Sequence, residues 1–382
     1  DPVCQRQLGA ESVAAPASTR MSCPQGDFEL KRYPGRKQEP LQAWNGADLL
    51  LLEAAGVSDE PCLVANDDHG ALANALSPAA VWTDSALSAR ATQLNCQQNG
   101  VPQPLIIWST ELPQPPFGRV FMRVPKSLPY FEYQLAVLAT TLSARQTLFC
   151  AGMDKHLSPQ TAATIERYFG KVQRHPGKRK ARLFSAVATG KSLAEPPADR
   201  AYHCKFAGGE LRAGPNVFSG DQLDIGSRFL LEHLQQLSPV ERAADLACGN
   251  GVLGISVLQQ GLSTEMLFAD ESAMAIDAAR NNCRRLIPGA TVDFHHGDGL
   301  LAREAEFELV LCNPPFHLGH TVDEYAGRRL LRQAAASLVP GGSLLLVANR
   351  HLRYATGLRR LFKQVDKLAQ NRKFALWRAL RS

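Results

Sequence analysis

The chain has 382 residues, with a hydrophobic fraction of 45%, a charged fraction of 20% and a formal net charge of +6. This length suits two domains, and the composition is that of a globular protein rather than a disordered or fibrous one. No apolar run reaches the roughly 18 residues of a membrane-spanning helix, and the mild basic excess admits a polyanionic partner without requiring one.

Residues 1–20 are rich in Ala, Ser, Gln and Pro and contain no apolar stretch. They are not a signal peptide and read as a disordered leader or expression remnant, with Met21 as a natural start. The nine cysteines are scattered, with no C-x-x-C pair and no zinc-type spacing. That pattern predicts reduced thiols in a cytoplasmic protein, no disulfide and no metal.

In the N-terminal half, residues 21–188, strands are expected at Cys62–Ala65, Ala80–Thr83, Leu105–Trp108, Val120–Val124 and Thr147–Ala151. Helices are expected at Ala71–Leu76 and Ala86–Gln97. Residues 189–200, with Gly190, Pro196 and Pro197, read as a linker. In the C-terminal half, residues 201–382, strands are expected at Arg242–Leu246, Met266–Ala269, Thr291–Phe294, Phe307–Cys312 and Ser343–Ala348. Helices are expected at Val252–Gln260, Ala273–Leu286 and Arg328–Leu338, the last stopped by Pro340-Gly341-Gly342. The alternation predicts an α/β fold, a parallel sheet flanked by helices in each half. Laying one half on the other puts Asp84 on Asp270 and Pro125 on Pro314, which suggests a duplicated domain.

Four features of the C-terminal half carry chemistry. The run from Asp245 to Gly251 ends a strand in an acid and turns through Gly249 and Gly251 into a helix. Backbone approaches a ligand closely there, and the helix N-terminus favours an anion, either the carboxylate of S-adenosyl-L-methionine or a pyrophosphate. Asp270 ends the next strand and is placed to accept from ribose hydroxyls; the bland reading is a helix cap shared with Ser272. Asp298, in His296-Gly-Asp-Gly299, could accept from an adenine amine or merely build a turn. The fourth feature is Asn313-Pro314-Pro315-Phe316, at the end of a strand. Proline restricts Asn313 to extended backbone. The Asn313 amide oxygen and the Pro314 carbonyl can then grip an –NH₂ group, and Phe316 can stack on a base. The alternative is an ordinary Asn-Pro turn.

This corner resembles that of methyltransferases acting on exocyclic or amide nitrogens. The run Asn216 to Arg228 resembles the segment before the glycine loop in the RlmG/RsmC family of bacterial rRNA guanine-N2 methyltransferases. Pro40 to Trp44, Ala348 to Leu352 and Asp270 to Ser272 favour its large-subunit branch. The resemblance implies two tandem Rossmann-like class I methyltransferase domains with a degenerate N-terminal copy. It further implies S-adenosyl-L-methionine as cofactor and methylation of a guanine N2 in 23S rRNA. The competitors are a 16S-specific enzyme, a DNA adenine or protein glutamine methyltransferase, and an RNA-binding assembly factor that has lost catalysis.

One departure is Ala247, where the family loop usually has glycine; Ala is expected to be tolerated. The N-terminal half has Asn66-Asp-Asp-His-Gly70 and Val124-Pro-Lys-Ser127 at the corresponding places, and so reads as non-catalytic. Basic residues at Lys171 to Arg182, and at Arg350, His351, Arg353, Arg359, Arg360 and Lys363, suggest a path for ribosomal RNA. The solvated-surface reading competes. A monomer is expected.

Overall fold

The computed structural model describes residues 16–114, 116–314, 320–350 and 354–382. Each half builds a seven-stranded sheet, and the two sheets have the same strand order. Across the C-terminal sheet the order is Thr291–His296, Ser263–Asp270, Val240–Leu246, Phe307–Cys312, Leu338–Asn349, Phe374–Leu380 and Gln364–Gln370. Across the N-terminal sheet it is Leu105–Trp108, Ala80–Thr83, Cys62–Ala65, Arg119–Arg123, Thr147–Met153, Ala181–Val187 and Val172–Arg174. In both sheets the first five are parallel, and the sixth runs antiparallel to both neighbours. The two tandem α/β units expected from the sequence are thus present.

The central strands read as continuous apolar runs because helices cover both faces of a parallel sheet. Cys62–Ala65 and Ala80–Thr83 are buried at every residue. Helix Ala273–Leu286 starts where Ser272 accepts from the Ala275 N–H, and ends with Arg284 and Arg285 complementing its dipole.

The structure corrects several boundaries. Ala17 donates to the Glu39 carbonyl at 2.9 Å and Leu30 to the Thr19 carbonyl at 2.7 Å, so the last residues of the expected leader belong to the fold. Residues 1–15 lie outside the described residues. Arg200, assigned to the linker, begins strand Arg200–Cys204, and its guanidinium donates to the Val217 carbonyl at 2.7 Å. Pro340-Gly341-Gly342 does not separate a helix from a strand. Strand Leu338–Asn349 runs through it as a bulge, with Phe307 opposite Leu338 and Leu309 opposite Ser343.

Ladder register shows which residues correspond between the halves. Ala65 pairs with Trp82 and Met122, as Leu246 pairs with Ala269 and Cys312. One residue onward, Thr83 corresponds to Asp270, Asp84 to Glu271, and Arg123 to Asn313. The sequence alignment of Asp84 with Asp270 and Pro125 with Pro314 is therefore off by one.

The halves meet where equivalent helices begin. Ser85 and Ser272, the two helix caps, form an antiparallel bridge. Ala86 N–H donates to the Glu271 carbonyl at 2.8 Å, and Ala273 N–H reciprocally to the Asp84 carbonyl at 2.9 Å. The Asp84 carboxylate, 7% exposed, accepts from Ser272 Oγ at 2.6 Å, the Met274 N–H at 2.9 Å and Asn216 Nδ2 at 2.7 Å. Among the described residues no helix is long and apolar enough to cross a membrane, and no group of three or more His, Cys, Asp or Glu is arranged to hold a metal ion.

Candidate active site

In the C-terminal sheet the strand order reverses at Val240–Leu246, whose neighbours are Ser263–Asp270 and Phe307–Cys312. Ligands of open α/β sheets bind at such a switch point, beyond the carboxyl ends of the strands. The glycine loop, Asp270 and Asn313 all lie at these ends.

The loop is built from left-handed residues. Ala247, Gly249 and Gly251 have φ of 60°, 55° and 85°. Ala247 thus takes the conformation that glycine adopts without strain. Nothing lies within 4 Å of a Cβ built on Gly249, whereas one on Gly251 would press against Ala279 and Ile255 at 3.2–3.3 Å. Gly249 therefore leaves backbone open to a ligand at the start of helix Val252–Gln259, and Gly251 lets that helix pack against its neighbour.

The acids differ in what they face. Asp245 is 1% exposed, and its Oδ2 accepts from the Gly254 N–H at 2.8 Å. Burial pushes its pKa up to about 8. Asp245, in the run expected to hold the cofactor, is tied inside the loop by its bond from the Gly254 N–H. Asp270 is partly exposed. It accepts from the Gly249 N–H and the Ser272 N–H, each at 2.9 Å, and each oxygen keeps a further lone pair for a ribose hydroxyl. The cap and ligand readings of Asp270 are thus compatible.

Asp298 is held by three donors: Arg329, Gln333 Nε2 at 3.1 Å, and Tyr33 Oη–H at 2.6 Å. Burial opposes its ionisation, but the hydrogen bonds from Arg329 and Tyr33 outweigh this and hold the carboxyl below its ordinary pKa. Tyr33 comes from the N-terminal half. The next residues of that segment reach the helix His320–Ser337, where Tyr325 Oη–H donates to the Gly35 carbonyl at 2.7 Å. Both halves therefore contribute to the surroundings of Asp298.

Asn313 is partly exposed at the end of Phe307–Cys312. Its Nδ2 donates to Asp224 Oδ2 and to Ser227 Oγ, each at 2.9 Å. Because a carboxylate can only accept, the nitrogen must face Asp224, leaving Oδ1 as the free acceptor. Pro314, the next residue, is buried. Pro315 and Phe316 lie outside the described residues.

Sequence reasoning missed Asp224, Ser227 and Tyr33 as site residues. The run Asn216 to Arg228 had marked two of them only as part of a resemblance. Its first residue, Asn216, joins the halves through Asp84, and Asp224 and Ser227 hold Asn313.

The N-terminal counterpart is filled. Asn66 and Gly70 reproduce the backbone of Ala247 and Gly251, with φ of 60° and 85°. Asp68, however, occupies the place of Gly249 and puts an acid where an anion would have to enter. Arg123, in the place of Asn313, is tied to Asp48 at 2.6 Å and to Asp68 at 3.6 Å. Of the expected RNA-facing cations, Lys178 and Arg179 pair with Glu53, and Arg182 with Asp154, at 2.6–3.1 Å. These three are thus partly neutralised. His351 and Arg353 lie outside the described residues.

Residues 18–190 match the family model described as RLMG N-terminal domain, and residues 208–378 match the Methyltransferase small domain. The Ribosomal RNA large subunit methyltransferase G of Alcanivorax borkumensis is 42% identical over 375 residues, covering 93% of this chain and 95% of that protein. Its namesake in Pseudomonas syringae is 39% identical over 366 residues, covering 93% and 98%. The solved structure of T. thermophilus 16S rRNA N2 G1207 methyltransferase (RsmC), in complex with AdoMet and guanosine, has a TM-score of 0.76. It covers 95% of this chain and 98% of that one at 20% identity, a likeness of fold. With both halves matched in order and relatives aligned along nearly the whole length, the chain belongs to the ribosomal RNA large subunit methyltransferase G family.

Proposed function

We propose that this protein transfers a methyl group from S-adenosyl-L-methionine to the exocyclic N2 of a guanine in 23S rRNA. The observation that carries the reading is the Asn313 carboxamide, fixed with its oxygen free at the strand end beside the glycine loop. The residues present suit the cofactor. Gly249 faces open space at a helix start, room for a carboxylate, and Asp270 has acceptor capacity for a ribose. When bound, the cofactor supplies a methyl group already activated on a sulfonium.

The protein's task is then to present the amine. The guanine N2 lone pair is delocalised into the ring, so the nitrogen is a weak nucleophile. Asn313 Oδ1 and the Pro314 carbonyl, accepting its two hydrogens, would favour a pyramidal nitrogen with its lone pair directed at the methyl carbon. Positioning of this kind lowers the barrier without a residue that must take the proton first; the proton leaves to solvent after transfer. The N-terminal half, its counterpart site closed by Arg123 and Asp48, supports the catalytic half and contributes surface to the RNA.

Mass mapping of rRNA from a strain lacking the protein tests the substrate: one guanine of 23S rRNA should lose a methyl group, and a loss confined to 16S rRNA would refute the assignment. Asn313→Ala should abolish methyl transfer while leaving cofactor affinity within about twofold. Equal loss of both would refute the role given to Asn313.

A further inference from the structure

We propose that Asp224 and Ser227 are positioning residues that lock the Asn313 carboxamide in the one orientation that turns Oδ1 toward the substrate amine. This rests on the reading of Asn313 given above. A carboxamide is nearly symmetric in shape, and a half-turn exchanges an acceptor for a donor. Flipped, Asn313 would present N–H groups to a substrate –NH₂, donor against donor, and the site would bind no amine. The strand end alone does not prevent the flip.

Two acceptors do. Both Asn313 amide hydrogens are taken, one by Asp224 Oδ2 and one by Ser227 Oγ, each at 2.9 Å. A carboxylate opposite Oδ1 would be repelled, so the flipped state is strongly disfavoured. Asp224 is itself held: its Oδ2 also accepts the Ser227 N–H at 2.9 Å, capping helix Ile225–Leu231. Gly226 between them keeps the free oxygen approachable. A Cβ there would stand 3.3 Å from Asn313 Oδ1 and 3.0 Å from Asp224 Oδ2.

The degenerate half supplies an internal comparison. Its equivalent helix, Gly46–Ala55, is capped by Asn45, and four residues of the capped turn end at Asp48, the place of Ser227. Asp48 binds Arg123, which stands where Asn313 does. The cap, the third helical residue and the strand-end residue therefore differ together between the copies, as expected if they act as one unit.

The test uses the full-length enzyme, rRNA from a strain lacking it, and labelled S-adenosyl-L-methionine. Asp224→Ala removes the carboxylate and leaves Ser227 Oγ, which can donate as well as accept, so the Asn313 carboxamide is free to turn. Its kcat should fall roughly 10–100-fold with cofactor affinity by calorimetry close to wild type, and the melting temperature reports the lost cap. Asp224→Asn is the conservative control: the Ser227 N–H holds its amide oxygen where Asp224 Oδ2 stands, that oxygen still accepts from Asn313 Nδ2, and kcat should stay within about threefold of wild type. Adding Asn313→Asp to D224A gives a side chain with no orientation to lose, since either oxygen accepts, and should recover several-fold in kcat over D224A alone; a loss caused by the missing cap would not recover. Wild-type kcat in D224A, or a deficit that the second substitution leaves unrelieved, would overturn the proposal. Asn313→Ala, run alongside, separates the readings. An active N313A sinks the role of Asn313 itself, whereas an inactive N313A beside a fully active D224A sinks only the orientation argument.

Discussion

The Asp84 carboxylate is a central tie between the two halves, and its removal should weaken their coupling. Its carboxylate, 7% exposed, accepts four hydrogen bonds: Ser109 Oγ at 2.5 Å from its own half, and Asn216 Nδ2 at 2.7 Å, Ser272 Oγ at 2.6 Å and the Met274 N–H at 2.9 Å from the other. In Asp84→Ala the two serine hydroxyls can rotate to other acceptors. The Asn216 amide and the Met274 N–H cannot, and they stay desolvated. Hydrogen bonds to an ionised group contribute about 1.5–3 kcal/mol each, and an unsatisfied buried donor costs about 1–3 kcal/mol. Two such losses put the effect on the junction at roughly 3–5 kcal/mol. The reciprocal backbone bonds of Ala86 and Ala273 remain. The chain carries its own probes: Trp44, Trp82 and Trp108 report on the N-terminal half and Trp377 on the C-terminal half. Urea unfolding followed by tryptophan fluorescence and by circular dichroism should shift to a lower midpoint in the variant. The two signals should also separate as the halves come to unfold independently. Asp84→Asn, which keeps an acceptor, should lie between. Coincident transitions at the wild-type midpoint in Asp84→Ala would refute the reasoning.

Three further outcomes follow from the site. Ala247→Gly removes left-handed strain at φ 60° and should stabilise the catalytic half by about 1 kcal/mol, roughly 2–4 °C in melting temperature; a lower melting temperature would contradict this. Tyr33→Phe removes the hydroxyl that donates to Asp298 at 2.6 Å. It should weaken S-adenosyl-L-methionine binding by roughly 3–10-fold in calorimetry without lowering the melting temperature; an unchanged affinity would detach the N-terminal half from the cofactor. Asp245, with its pKa pushed up to about 8 by burial, binds a proton in the folded state where an unfolded Asp, near about 3.9, has lost it. The folded protein therefore carries the extra proton between about pH 4 and 8, and this group's contribution to stability declines as pH rises through that window. Asp245→Asn should flatten the decline relative to wild type in melts from about pH 5 to 9; parallel profiles would show that the group does not titrate there.

Much of the architecture was legible because it is local. The helix Ala273–Leu286 has the bounds read from its apolar spacing, the cap at Ser272 and the basic last turn. The strand Phe307–Cys312 was likewise bounded by an apolar run and the proline that follows it. The glycine loop and the Asn313 corner were found for the same reason: each is a short stretch whose backbone demands particular residues.

What the chain order could not show was which way a carboxylate points and what lies opposite it. Asp245 and Asp270 both end strands. Only packing buries the first beneath Gly254 and leaves the second partly open. The one-residue error in aligning the halves arose because loop lengths drift between copies, whereas ladder hydrogen bonds admit a single register. Asp224 and Asn313 are 89 residues apart and Tyr33 and Asp298 265 apart. Those partnerships exist only once two sheets have closed on each other. Periodicity and backbone restriction thus determined the elements and the Asn313 corner. Long-range hydrogen bonding decided which side chains hold that corner and how the corresponding place in the N-terminal half is filled.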